Sequence, residues 1–210
     1  MSSVIKSTTL QTNSLKDKTG TRTLASDSGS AWSWGSGIPK GSVIEQFASP
    51  CDGSSITVQS GTYTIQTVSG VQSMTEAFEP ITGSSITYTP PTGTARVIYE
   101  FTFQHSYADA RPMYSIKYSI GGTEVTNARR FIDGETSLQG FVTFRWVHNI
   151  GGSDTSATGR VATWTSGKVM KLEAREYNAD QEGQLHTTEH WESGSTNQFS
   201  QPVIGITAIA

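Results

Sequence analysis

From Ser42 onward apolar and polar residues alternate with a period of two, and clusters of Gly, Pro, Ser and Asn break the alternation at short intervals. Successive side chains of a strand point to opposite faces of a sheet, so this pattern predicts an all-β sandwich or barrel. In ARVIYEFTFQ, Val97, Tyr99, Phe101 and Phe103 share one face and Ile98, Glu100, Thr102 and Gln104 the other, the pattern of a half-buried strand. MYSIKYSI sets Tyr114, Ile116, Tyr118 and Ile120 against Ser115, Lys117 and Ser119. The following Gly121-Gly122 is a tight-turn signal leading into TEVTNARRF, which makes a hairpin. GFVTFRWVHN carries apolar groups on both faces, Val142, Phe144 and Trp146 on one and Phe141 and Val147 on the other, as expected of a central strand. Weaker strands are predicted in SITVQS, TYTIQTV, SITYTP, RVATWT, KVMKLEAREY and PVIGITAI, and no stretch shows a convincing helical period. The expected core includes Val97, Tyr99, Phe101, Phe103, Ile116, Tyr118, Phe144 and Trp146.

The first forty residues read differently. Val4, Ile5, Leu10, Leu15 and Leu24 are isolated apolar positions, too sparse to close a core. The chain therefore divides into an extended N-terminal arm, residues 1–41, and an antiparallel β-sandwich of jelly-roll type, residues 42–210. Within the arm, LASDSGSAWSWGSGIPKGS places Trp32 and Trp34 in a run of serine and glycine. Their spacing puts both rings on one side of an extended segment, so Trp32, Trp34 and Ile38 are candidate anchors. They dock either on a partner protein or on the same chain's β domain.

Composition narrows the function. Hydrophobic residues make up 34% and charged residues 16%, a balance that suits strands and turns, and the 10% aromatic content argues against disorder. With a net charge of −3 and no basic run longer than Arg129-Arg130, nothing draws the chain to nucleic acid or to an anionic membrane. Cys51 is alone, so no intrachain disulfide can form. The first residues lack the apolar core of a secretory signal and no apolar run is long enough to span a bilayer. Synthesis in a cytoplasm without membrane insertion is the expectation.

Candidate chemistry is thin. HTTEH, His186 to His190, matches the H-x-x-E-H zinc-peptidase pattern, which works when a helix brings both histidines to one face. The surrounding pattern is that of a strand, where residues four apart are separated by roughly 13 Å at about 3.3 Å per residue, so the expectation is polar residues on an exposed strand face or turn, with no metal. No G-x-S-x-G elbow occurs, and GSGIPKGS lacks the order of a phosphate loop. Glu76/Glu79 and Glu189/Glu192 are carboxylate pairs whose separation in space the sequence does not specify. Trp146, Trp164, Tyr177 and Trp191 could stack on sugars, although aromatics more often fill a core or a subunit interface. No catalytic residue and no cofactor is expected.

Taken together, SVIKSTTLQTNSL, TGTRTLASDSGSAWSWGSGIPKGSVIEQF, ITYTPPTGTARVIYEFTF, LEAREYNADQEGQLHTTEHW and the closing PVIGITAIA resemble virion structural proteins of tailed phages that infect marine bacteria, described as tail-fibre-like or appendage proteins. The resemblance touches most of the chain through the order and flavour of its segments. It implies an arm that attaches to the particle, in the tail, collar or capsid, and an outward β-sandwich, often a homotrimer. A host-surface glycan is then a candidate partner, with Trp164, Tyr177 and Trp191 as contact residues. The alternative is a carbohydrate-binding β-sandwich that works as a free lectin.

Overall fold

A computed structural model describes residues 14–16, 23–27, 31–36, 38–107, 113–133, 140–179, 183–188 and 198–210, the first three runs and Tyr107 as backbone only. The chain divides into two compact units, Met1–Ser42 with Ala210, and Val43–Ile209. In the first, β1 (Ser14–Lys16), β2 (Thr23–Asp27) and β3 (Ala31–Ser36) form an antiparallel sheet in that order. Trp34 stands opposite Leu24 and Trp32 opposite Ser26, so the two tryptophans occupy alternate positions of β3. The extended segments of the arm thus fold back on one another rather than running on in one line. Gly41 N–H donates to the Ala210 carbonyl at 2.7 Å, and Ala210 N–H to the Ser42 carbonyl at 2.9 Å.

The second unit begins with β4 (Val43–Pro50), a hairpin of β5 (Ser55–Val58) and β6 (Gly61–Thr64), and the short strands β7 (Gln72–Ser73), β8 (Glu79–Pro80) and β9 (Ile86–Tyr88). The long strands β10 (Arg96–Tyr107) and β11 (Met113–Ile120) lead to β12 (Thr123–Glu124), a 3-10 turn at Thr126–Ala128, β13 (Arg130–Asp133) and β14 (Gly140–Asn149). Then come β15 (Lys168–Glu176), β16 (Gly183–Leu185), β17 (Thr187–Thr188), β18 (Gln198–Phe199) and β19 (Val203–Ile209).

Two six-stranded antiparallel sheets result, beside the β5–β6 hairpin and a β17–β18 pair. In one, β10 pairs along one edge with β19 and, beyond it, with β16, and along the other edge with β14; β4 covers the far side of β19. In the other, β11 pairs with β15 on one side and with β12 and β13 on the other, and β8 and β9 border β15. Successive long strands, β10, β11, β14 and β15, alternate between the sheets, the habit of a jelly roll. The all-β, antiparallel reading of the sequence is what the structure shows.

The period-two pattern explains the packing. Val97, Tyr99, Phe101 and Phe103 of β10, Phe144 of β14 and Ile204 and Ile206 of β19 are buried, as are Tyr114, Ile116, Tyr118, Met170 and Leu172 of the facing sheet. Tyr118 lies 5.1 Å, ring centre to ring centre, from both Tyr99 and Phe144, so the aromatic residues interlock across the layers. Each such side chain contributes about 1.5–3 kcal/mol by leaving water. Buried hydroxyls need partners, and Tyr99 finds one by donating to the Ser84 carbonyl at 2.6 Å.

Two expectations are corrected. GFVTFRWVHN is not central: among the described residues β14 pairs only with β10, so its second apolar face is exposed and Trp146 is half-buried. RVATWT is not a strand but a loop with isolated bridges at Arg160 and Val161, because Trp164 turns inward instead of alternating along a ladder. KVMKLEAREY is a strand as predicted, and Leu172, Ala174 and Glu176 are buried in β15, which is paired on both sides. No helix among the described residues is long and apolar enough to cross a membrane.

Candidate functional site

Gly121 and Gly122 take positive φ, 56° and 81°, which suits the tight two-residue turn that reverses β11 into β12. Beside this turn the loop from Gly151 to Val161 folds on itself. Thr155 N–H donates to the Arg160 carbonyl at 3.1 Å, Gly159 N–H to the Thr155 carbonyl at 2.9 Å, and Ala162 N–H to Asp154 Oδ1 at 2.7 Å. Two further bonds tie the loop to the 3-10 turn, Thr126 N–H to Ser156 O and Asn127 N–H to Ala157 O. Between these walls lies a cleft of about 310 Å³ lined by Thr123, Glu124, Asp154, Ser156, Arg160 and Lys168, among others.

The cleft's charges are uneven. Glu124 is engaged by Arg129, which holds its carboxyl below the usual range. Asp154 is occupied by the backbone of its own loop. Arg160 and Lys168 have no carboxylate partner among the described residues, which leaves two cations beside hydroxyl and carboxylate groups. Such a set can hydrogen-bond a polyol and favours one that carries negative charge. No histidine or cysteine lines it.

Beneath the loop, His148 is fully buried. Its Nδ1 lies 2.8 Å from the Gly159 carbonyl, which can only accept, so Nδ1 carries the proton. Bare Nε2 then accepts from the Tyr118 hydroxyl at 2.7 Å. Burial pushes the imidazole down to about 4, so it is neutral at ordinary pH. Gly159 is required where it stands: its φ is +66°, and a Cβ there would lie 2.9 Å from Val125 and 3.0 Å from the His148 ring. A second buried polar group, Glu45, accepts from Ser60 N–H at 2.8 Å, from the Ser60 hydroxyl at 2.6 Å and from the Tyr88 hydroxyl at 2.8 Å. Neither network was anticipated. The available signal was a polar residue on the apolar register of its strand, Glu45 in step with Phe47, and His148 with Phe144 and Trp146.

The predicted contact residues are not brought together. Trp164 is 5% exposed, donates from Nε1 to the Tyr88 carbonyl at 3.0 Å and stands edge-on to His148, so its face is not offered to a sugar. Tyr177, at the end of β15, is 61% exposed. Trp191 lies outside the described residues, Trp32 and Trp34 are described only as backbone positions of β3, and Ile38 is half-buried. Of HTTEH, Glu189 and His190 also lie outside them. His186 and Thr187 are buried, a correction to the expected exposed face: His186 sits edge-on to Phe101 and Phe103 with a positive φ of 60°. Among the described residues neither ring nitrogen of His186 meets a partner in hydrogen-bonding geometry. Burial lowers the ring to about 4, an effect that the nearby Thr82 backbone opposes. The described residues bring no three His, Cys, Asp or Glu side chains together in a way that could hold a metal ion. Cys51 is buried, its thiol donating to the Gly83 carbonyl at 3.4 Å, and burial, with Asp52, pushes it up to about 12.

Among the described residues, no strand covers one flank of the sandwich. There β13 and β14 border their respective sheets, and the Arg130 guanidinium lies 5.8 Å from the ring centres of both Phe144 and Trp146. Ile132, Val142 and Trp146 are only partly buried. On the outer face of β14, Phe141 is 72% and Val147 42% exposed.

No protein-family profile matches this chain, and no curated protein matches it.

Proposed function

We propose that this chain is a non-enzymatic structural protein of a phage virion, of the tail-fibre or appendage type, attached through residues 1–41 and displaying the β-sandwich outward. The observation that carries this reading is the division of the chain into a small N-terminal unit, whose sheet ends in a strand bearing two tryptophans, and a larger sandwich with a core of its own. A unit of three short strands has little apolar surface to bury by itself and gains order from a partner. Trp32, Trp34 and Ile38 are the anchors, and β3, last in its sheet, has an edge that another virion protein's strand can extend. The sandwich is carried as a homo-oligomer, a trimer by the resemblance, with exposed Tyr177 available for host-surface contact.

The test is incorporation into particles. Removing residues 1–41, or replacing both Trp32 and Trp34 with alanine, should abolish attachment while the sandwich keeps its melting temperature. The lost burial, about 1.5–3 kcal/mol or more per ring, belongs to the partner interface. Particles that still take up the truncated protein would overturn the reading.

The cleft at Arg160 and Lys168 favours a second reading, a soluble carbohydrate-binding module. Saccharide binding by the free full-length chain, lost on Arg160→Ala with Lys168→Ala, together with no association with particles, would favour it over the first.

A further inference from the structure

We propose that β14 is the edge through which two copies of this chain pair, strand against antiparallel strand, about a two-fold axis at Phe144. The inference rests on the reading that the sandwich self-associates, not on where a particle carries it, and it sets a two-fold contact in place of the trimer that the resemblance implies, since a closed three-fold ring holds only head-to-tail contacts. An edge strand presents alternate unpaired N–H and C=O groups, a ready template for another strand, and proteins that stay monomeric blunt such edges with prolines, inward charges or bulges. The two long borders of this sheet, β4 and β14, differ in that respect. β4 carries the buried Glu45, ends at Pro50 and pairs with β19 through a register shift at Ala208/Ile209. β14 has no proline and no lysine, and its register with β10 runs unbroken from Arg96↔Asn149 to His105↔Gly140. Among the described residues it is the long, regular border, left without a second strand partner from Phe141 to Val147; only at Asn149 is an outward carbonyl taken, by Val161 N–H at 3.1 Å.

Its sequence is also complementary to itself. In an antiparallel pair centred on Phe144, each residue faces the one at an equal distance beyond the centre. Phe141 then lies opposite the partner's Val147, the two exposed apolar residues of the outer face covering each other. On the inner face Val142 meets the partner's Trp146, both of them half-buried in the single chain. Thr143 meets the partner's Arg145. The only charge on β14 is Arg145, which is 3.7 Å from Glu100 of β10, so the edge carries no net charge to repel its copy. Moving the centre one pair along to Arg145 would oppose two like charges, and moving it the other way to Thr143 would leave Val147 without an apolar partner. The centre at Phe144 is the one that satisfies both faces, and the resulting contact is isologous, as a closed pair requires.

The experiment uses the full-length chain. Sedimentation between about 1 and 100 µM should show reversible association in pairs. Phe141→Lys with Val147→Lys should raise the dissociation constant by about 100-fold with an unchanged circular dichroism spectrum, since both side chains lie outside the core. Thr143→Cys and Arg145→Cys, made as separate proteins, should form a disulfide when mixed under mild oxidation and neither should cross-link alone, because like positions are diagonal, about 7–8 Å apart. A cross-linked pair inside a larger assembly supports the pairing equally. Cross-linking of Thr143→Cys alone would overturn the register. A trimer that gives no cross-link and ignores the lysine substitutions would overturn the pairing while leaving self-association intact. A chain that stays monomeric throughout would overturn both.

Discussion

Replacing His148 with phenylalanine keeps a ring of similar shape against Trp164 and Tyr118 and deletes both hydrogen bonds of the imidazole. The Tyr118 hydroxyl and the Gly159 carbonyl are then left without partners in a buried site. Each such orphan costs about 1–3 kcal/mol, so the expected loss of stability is about 2–6 kcal/mol. Tyr118→Phe alone strands only His148 Nε2 and should cost about 1–3 kcal/mol. In the double variant the orphan hydroxyl is gone, so its cost should fall short of the sum of the single costs by about 1 kcal/mol or more. Equilibrium urea unfolding near pH 7.5, where the imidazole is neutral, reads all four corners of this cycle. For a protein of this size each kcal/mol also moves the melting temperature by about 2–4 °C. Additive costs, or a His148→Phe variant as stable as the parent, would refute the relay from Tyr118 through His148 to Gly159.

His148 and His186 both titrate near 4 when folded, against 6.5 in an ordinary setting, so between those values the unfolded chain holds more protons. Stability should therefore be full above about pH 6.5 and fall steadily as the pH drops toward 4, by up to about 3 kcal/mol per histidine; a flat profile of urea midpoints over that range would contradict both burials. Cys51, the chain's one cysteine, should resist a thiol reagent in the native protein and titrate as one equivalent after denaturation, whereas rapid native labelling would show that it is not enclosed.

Strand identity was legible where one face alone is wetted. The alternation of β10 and β11 placed Val97, Tyr99, Phe101, Phe103, Ile116 and Tyr118 in the core correctly, since burial on one face leaves period two in the sequence. That same logic misplaced β14. Apolar groups on both faces arise either from a strand covered on both sides or from an edge awaiting a neighbour, and the pattern does not distinguish the two. Trp164 was misread for a related reason: the threonines around it mimic a strand, yet its partners His148 and the Tyr88 carbonyl come from distant segments. The Glu45 network brings Tyr88 to a residue 43 positions away. Local periodicity carries no information about such a contact. The cleft was invisible because it depends on how the Gly151–Val161 loop bonds to the turn after β12, and the residues that line it are ordinary surface types.

The place of β19 bears on how the protein is made. It lies between β4 and β10, so the sheet's interior is completed by the segment Val203–Ile209 and not by anything nearer β4 in sequence. As the chain leaves the ribosome, β10, β11, β14 and β15 can pair with one another, but β4 has no strand to join until Ile209 is free. Until then the sites that Ile204 and Ile206 will fill are open to water and to neighbouring nascent chains. A prematurely terminated chain would not lose a border strand; it would lose the link between β4 and the rest of its sheet, leaving an open core for proteases to recognise. Only chains translated through Ile209 can close the sandwich, which keeps truncated copies out of any assembly built from it.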